Sequence, residues 1–443
     1  MIKEIKIKKN TKIALLGFGL DNQALLSLLD KNKAPVEITI CDFKEKNKLK
    51  KIKVKNIKVS YRLGNKFNKD LEDFSLLFRS PGWPINCPGI EKALKTKKTK
   101  LSSPLNIFFN LVPTKNIIGV TGTKGKGTTA TLIYKIISNA YKSSKRKVFL
   151  GGNIGISPLL FLSKIKPTDY VILELSSFQL EDLQYSPKIA VITNLFKEHL
   201  APADPNNPNF HSSLEKYWQA KLNITKHKDN KYLIINKDLK EKVKKEKTTG
   251  KIIYFSKSGL PSKLIGDYNQ QNIAAAIEVA KLLKIKDNNY KKTISNFKNL
   301  KHRLEFVNKI NNIEYFDNSF STTPESTILD LKSFNTPLIQ IAGGADKGAN
   351  FKNLAKTIKQ TVSFLILLPG QGSEKIKKEL KKIKFSSSKL FLATNMDSAV
   401  KIAKEKAVSG NTVLLSTACA SFGIFKNYKE RGDLFKKYVK KNS

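Results

Sequence analysis

Apolar residues along this chain come in short continuous runs, and most of the runs stop at a glycine, a proline or a serine. "KIALLGFGL" reads as a strand running into a glycine turn, "NQALLSLLDK" has helical spacing, "VEITICDF" is a second strand ending in Asp42, and "SLLFRSPGWP" is a third, stopped by Pro81, Gly82 and Pro84. Short apolar runs separated by helical stretches predict a parallel sheet. A second series opens at "LVPTKNIIGV". It continues through "TTATLIYKIISNAY", where Ala130, Ile133, Ile136, Ile137 and Ala140 recur with helical spacing, to the strands "YVILEL", "IAVITNL" and "YLIIN" and the helix "NIAAAIEVAKLL". A third begins near "HRLEFV" and holds the strands "PLIQIAGG", "SFLILLPG" and "TVLLS" between basic helices. The charged runs "KEKNKLKKIK" and "KEKVKKEKTT" read as solvated helix faces or loops. The expected fold class is α/β in three domains. These are a Rossmann-like N-terminal domain (1–112), a central P-loop ATPase domain with a parallel sheet (113–299), and a C-terminal Rossmann-like α/β domain (300–443).

The apolar fraction of 40% over 443 residues is enough for several packed cores. The net charge of +45 invites a nucleic-acid reading, but only five of the 81 basic residues are arginine and the lysines are spread along the whole chain. Arginine is favoured where bases and phosphates are recognised through paired hydrogen bonds, so no specific nucleic-acid partner is expected. Three distant cysteines give no disulfide framework. "MIKEIKIKKN" has no signal-peptide core, and no stretch approaches the ~18 apolar residues of a membrane span. A cytoplasmic chain without membrane insertion is expected.

Chemistry concentrates around "VTGTKGKGTT". Gly119, Gly122 and Gly125 are spaced by three and precede Lys126, between a strand and a helix. Glycines let backbone N–H groups turn toward an anion, and the helix N-terminus favours negative charge. The loop is therefore a phosphate cradle, with Gly122, Thr123, Lys124, Gly125, Lys126, Gly127 and Thr128 as its nucleotide-binding residues. Its spelling is unusual, because Gly127 follows the lysine where a serine or threonine is normal. Thr128, and then Thr129, are the nearest hydroxyls for a metal. Glu174 ends an apolar strand, where a carboxylate faces the ligand crevice and suits Mg²⁺. His199, one of four histidines with His211, His227 and His302, follows another strand of the same series. Gly17-Phe18-Gly19 with Asp42 is a partial dinucleotide fingerprint. Asn22 stands in place of its third glycine, so a turn that merely packs is an equal alternative.

In order along the chain, "GTKGKGT", "LELSSFQLE", "NLFKEHL", "YWQAKLNI", "NQQN", "HRLE", "GGADKG" and "STACASFGIFKNYKERG" resemble the Mur ligase family. The resemblance implies an ATP- and Mg²⁺-dependent amide ligase that adds D-glutamate to UDP-N-acetylmuramoyl-L-alanine through an acyl phosphate; a monomer is expected. It implies that Gly19, Leu20, Asp21 and Ser80, with Pro81 and Gly82, contact the UDP end, and that Asn153 contacts the same substrate. Glu174 and His199 match metal ligands, joined by Thr128, and Lys221 matches a carbamylated lysine facing the metal. Asn269 and Asn272 match the adenine side, Arg303 the phosphates, and Asp317 falls with this nucleotide set. Thr322, Lys347, Ser421 and Tyr428 match positions around the incoming glutamate. Lys126, Glu174, His199, Lys221 and Lys347 are the implied catalytic group. Phe320 stands where the family carries a lysine, which leaves Lys347 as the main cation for the amino acid. The alternatives are the same nucleotide with L-glutamate or another amino acid, a folylpolyglutamate synthetase-like ligase, and a non-catalytic basic P-loop protein.

Overall fold

The computed structural model describes residues 10–51, 53–200, 209–346 and 348–441. Lys347 and the first nine residues, on which two of the expectations above fall, lie outside the described residues. The chain forms two compact units. One runs to Gly259 and includes Gln271–Ile294, and the other comprises Leu260–Gln270 and the chain from Ser295 onward.

The first unit is built on two sheets. Strands β1 (Thr11–Leu16), β2 (Val36–Asp42), β3 (Val59–Leu63), β4 (Leu76–Arg79) and β5 (Lys100–Ser102) form a sheet in the order β3-β2-β1-β4-β5. Strands β6 (Ile117–Thr121), β7 (Val148–Gly152), β8 (Tyr170–Glu174), β9 (Ile189–Ile192), β10 (Tyr232–Asn236) and β11 (Lys251–Phe255) form a second, in the order β11-β10-β9-β6-β8-β7. Every pairing in both is parallel. In each the chain order reverses beside the first strand, β1 or β6, and this opens a crevice at the strands' C-terminal ends. One buried apolar core, including Ile13, Leu15 and Phe78 with Leu173, Ile192 and Trp218, runs through both sheets.

Arg79, at the end of β4, ties the two sheets together. Its guanidinium is buried and donates to Asp182 Oδ2 at 2.8 Å, to the Trp83 carbonyl at 2.9 Å and to the Phe178 carbonyl at 2.6 Å, and it pairs with Glu181 at 3.0 Å. The partial fingerprint near the N-terminus is explained by its neighbours. The buried Asn22 amide donates to the carbonyls of Leu16, Gly17 and Phe78, fastening the helix Leu20–Lys31 to β1 and β4 where a third glycine would otherwise pack. Asp42 accepts from the Phe18 N–H at 2.7 Å, so it holds the turn.

The second unit has β12 (Glu305–Ile310), β13 (Ile313–Asn318), β14 (Leu338–Ala342), β15 (Val362–Leu367), β16 (Leu390–Leu392) and β17 (Thr412–Ser416), in the order β12-β13-β17-β14-β15-β16. β12 and β13 make an antiparallel hairpin, and the other pairings are parallel. Neighbouring residues alternate between two apolar cores. Leu338, Leu365 and Leu414 face one, while Ile339, Ile366 and Val413 face the other. That is the pattern of a sheet covered on both sides. Among the described residues no helix is long and apolar enough to cross a membrane.

Candidate active site

The phosphate loop joins β6 to the helix Lys126–Ala140. No side chain caps that helix, whose N-cap is Gly125 in the left-handed conformation, φ 79°. Its first N–H groups are thus left to an incoming anion. Two glycines here have no substitute. Gly122 has φ 140° and a Cβ on it would run into the Thr193 hydroxyl, while one on Gly125 would strike the Asn272 amide. The loop after β9 clamps this geometry. Thr193 Oγ1 donates to the Lys124 carbonyl at 2.6 Å, and Asn194 both accepts from the Lys124 N–H at 2.7 Å and donates to its carbonyl at 3.1 Å. Lys126 folds back over the loop, donating to the carbonyls of Gly122 and Thr123, each at 3.0 Å. Thr129 is fully buried and its hydroxyl donates to Asn272 Oδ1 at 3.2 Å, whereas the Thr128 hydroxyl makes no hydrogen bond to the described residues.

The acids and bases sit beside the loop. β8 pairs with β6 so that Glu174 lies opposite Val120, at the edge from which the loop departs. Glu174 is buried. One carboxylate oxygen accepts from Asn153 Nδ2 at 3.0 Å and the other is buried without a hydrogen-bond partner. A buried, half-satisfied carboxylate is costly on its own and fits a cation. His199 sits in a left-handed turn, φ 59°, with its ring edge-on to Phe178 at 5.0 Å. Burial lowers its pKa to about 4 despite Glu198, and the ammoniums of Lys126, Lys221 and Lys124 act in the same direction. The imidazole is therefore neutral at pH 7 and able to ligate a metal. Lys221, in the helix Leu214–Leu222, is fully buried, lies 4.2 Å from the Tyr217 ring centroid and donates from Nζ to the Gly122 carbonyl at 2.8 Å. Burial, reinforced by the Lys126 charge, holds its amine well below the ordinary lysine value.

Two neighbours of this cluster were not singled out from the sequence. Glu198 accepts from Lys124 Nζ at 2.7 Å. Burial opposes its charge, but Lys124, His199 and Lys126 bring it down to about 2. His211 is buried, with Nε2 at 2.9 Å from Ser177 Oγ and Nδ1 at 3.4 Å from Glu181, and its ring is stacked on Phe178 at 4.8 Å. Its backbone N–H donates to the His199 carbonyl at 2.8 Å, so it braces the His199 turn. The only signals for them were an extra lysine in the loop, an acid adjoining His199 and a second histidine shortly before the Lys221 helix.

At the N-terminal sheet, a Cβ on Gly17 would meet the Ser80 hydroxyl, so the glycine turn and the Ser80 loop are in contact. Leu20 is exposed, while burial raises the Asp21 carboxyl, which accepts from Gln179 at 3.4 Å. A small cavity here is lined by Asp21, Arg79, Pro81, Phe178 and Gln179 among others. Asn153 lies against Glu174, on the second sheet.

In the second unit the loops after β13 and β17 meet, with Ala418 N–H donating to the Ser321 carbonyl at 3.1 Å. This brings Thr322 and Ser421 onto one edge with Tyr428, whose carbonyl accepts from Ser319 Oγ at 2.7 Å. Asp317 is fully buried, with one oxygen 2.7 Å from His302 Nδ1 and the other accepting from the Ser319 N–H. His302, Glu305 and Asp317 have metal-like spacing. However, Lys436 Nζ stands 2.8 Å from Glu305 and 3.6 Å from Asp317, so an ammonium already balances these acids. Asn269 donates to the Ile265 carbonyl at 2.6 Å.

A strand, glycine loop and uncapped helix beside a half-satisfied buried carboxylate and a neutral imidazole have the geometry of a phosphate-loop site. The signature described as the Mur ligase middle domain covers residues 120–262, and that of the Mur ligase, glutamate ligase domain, covers 302–419. The chain belongs to the Mur ligase family. It is 35% identical to the UDP-N-acetylmuramoylalanine-D-glutamate ligase of Acetivibrio thermocellus over 97% of this chain and 96% of that protein. It is 34% identical to the enzyme of the same name from Clostridium tetani over 97% of each. The fold matches the MurF ligase of Thermotoga maritima in complex with ADP, with a TM-score of 0.58 and 16% identity over 100% of this chain and 98% of that one.

Proposed function

We propose that this chain adds D-glutamate to UDP-N-acetylmuramoyl-L-alanine at the expense of ATP, in peptidoglycan precursor synthesis. The observation that carries this reading is the end-to-end likeness to D-glutamate ligases. Three domains, 1–112, 113–299 and 300–443, divide the work among the UDP substrate, ATP and the amino acid.

A carboxylate does not acylate an amine at neutral pH, because it is anionic and has a poor leaving group. Transfer of the γ-phosphoryl group to the substrate carboxylate gives an acyl phosphate and ADP. The glutamate nitrogen then attacks the carbonyl carbon, a C–N bond forms, the C–O bond to phosphate breaks and the nitrogen's proton goes to solvent. Catalysis of this kind is positioning and charge stabilisation. The loop N–H groups and Lys126 hold the phosphates, and Asn269 and Asn272 hold the adenine side. Mg²⁺, when bound, screens the repulsion between triphosphate and carboxylate. The Thr128 hydroxyl, Glu174 and His199 would hold it, and the unpartnered oxygen of Glu174 supports that role. Lys221 as a neutral amine would add to carbon dioxide, forming an N–C bond and giving up a proton to solvent, and the resulting carbamate anion would help to hold the metal. Gly19, Leu20, Asp21, Ser80 and Asn153 bind the nucleotide substrate, and Thr322, Lys347, Ser421 and Tyr428 bind glutamate.

The test is identification of the product. Incubation with UDP-N-acetylmuramoyl-L-alanine, ATP and D-glutamate should yield a nucleotide heavier by one glutamyl residue. An unchanged nucleotide mass rejects the reading.

A further inference from the structure

Arg303 differs from the two buried arginines. Arg79 and Arg431 are buried, and their guanidiniums are tied down by carbonyl, hydroxyl or carboxylate oxygens. The Arg303 guanidinium, partly exposed just before β12, makes no hydrogen bond or ion pair to the described residues. It stands over a ring, with Cζ 3.6 Å from the Phe320 centroid. A guanidinium held over a ring in this way spends none of its five N–H groups on the ring. Phe320 is 40% exposed. The ring is fixed from behind. Tyr428 meets it edge-on at 5.1 Å, and the Phe320 N–H donates to the His302 carbonyl at 3.2 Å.

We propose that Phe320 is a positioning residue whose ring holds the Arg303 guanidinium flat, with its N–H edge free to receive an oxyanion of a substrate, a phosphate of ATP or a carboxylate of the amino acid. The inference rests on the proposed ligase reading for its substrates. It also answers the loss of a cation implied by phenylalanine at this place, because the ring steadies an arginine that forks onto carboxylate or phosphate.

Phe320→Leu keeps an apolar side chain and removes the π face. It should raise the KM for one anionic substrate by about three- to thirty-fold while kcat at saturation stays within about twofold, and Phe320→Tyr should restore the wild-type value. A rise confined to ATP assigns the phosphate, and one confined to glutamate assigns the carboxylate. Arg303→Lys keeps the charge without the flat fork. It should raise the same KM, and combining it with Phe320→Leu should add little. Calorimetric titration of ATP in the absence of other substrates, together with thermal melts, separates binding from folding. If wild-type protein fails to ligate D-glutamate yet loses ATP affinity on Phe320→Leu, the ligase reading falls and the platform stands. If wild-type protein ligates and Phe320→Leu changes neither KM, or Phe320→Tyr is as impaired as the leucine variant, the platform is overturned.

Discussion

Lys221 Nζ lies 2.8 Å from the Gly122 carbonyl oxygen, which puts the one fully buried lysine among the described residues against the phosphate loop. In a chain with so many solvated lysines, a single buried amine beside the nucleotide site points to chemistry. Lys221→Ala should abolish ligation while leaving ATP affinity within about threefold, and short-chain carboxylates should restore part of the activity by standing in for the carbamate. Wild-type turnover in the alanine variant would remove Lys221 from the account.

The same burial makes a stability prediction. Lys221 titrates well below the ordinary lysine value when folded, so between the folded and the unfolded values the unfolded chain binds a proton that the folded chain does not. Stability must then rise with pH up to the unfolded value of about 10.4. Melting temperatures taken between pH 7 and 9.5 in buffer free of carbon dioxide should climb more for wild type than for Lys221→Met. Parallel profiles would mean that the amine is charged in the fold.

Gly127 offers no hydroxyl after Lys126, and Thr128 and Thr129 are the nearest that do. Thr129 is committed to Asn272, so Thr129→Val should lower stability by about 1 kcal/mol and leave the Mg²⁺ requirement alone. Thr128→Val should do the reverse, raising the Mg²⁺ concentration for half-maximal turnover. A magnesium titration of the two variants decides between them, and an effect on the Thr129 variant alone would reverse the assignment.

Glu181 sits beside Arg79 and His211. Burial outweighs the guanidinium and raises its carboxyl from 4.5 to about 7. The folded chain therefore holds a proton that the unfolded chain has lost between these values, and stability falls as pH rises through that window. Glu181→Gln should match wild type near pH 4.5 and exceed it at pH 8 in denaturant midpoint. A constant difference across the range would show that the carboxylate is ionised throughout.

The sequence made the interior strands legible and the edges illegible. β1, β2, β4, β8, β9, β10, β14, β15 and β17 are carried by largely buried apolar runs. The strands it did not reveal include every edge: β3, β5, β7, β11, β12 and β16. An edge strand packs on fewer neighbours, and Val59–Leu63 or Lys251–Phe255 are accordingly half-solvated and carry no clear period. β13 was missed for another reason, because "IEYFDN" buries an acid, Asp317, that is matched by His302 and Lys436 from distant parts of the chain. The phosphate loop was readable because its glycines are local. The partners of Glu198, His211 and Arg79 were not, because each pair joins residues brought together only by folding.

The central claim is tested most directly by phosphate release from ATP in the presence of UDP-N-acetylmuramoyl-L-alanine, measured side by side with D-glutamate, L-glutamate and no amino acid. The account predicts sustained release with D-glutamate and only background release with the other two. Release that is independent of the amino acid, or faster with L-glutamate, would contradict it.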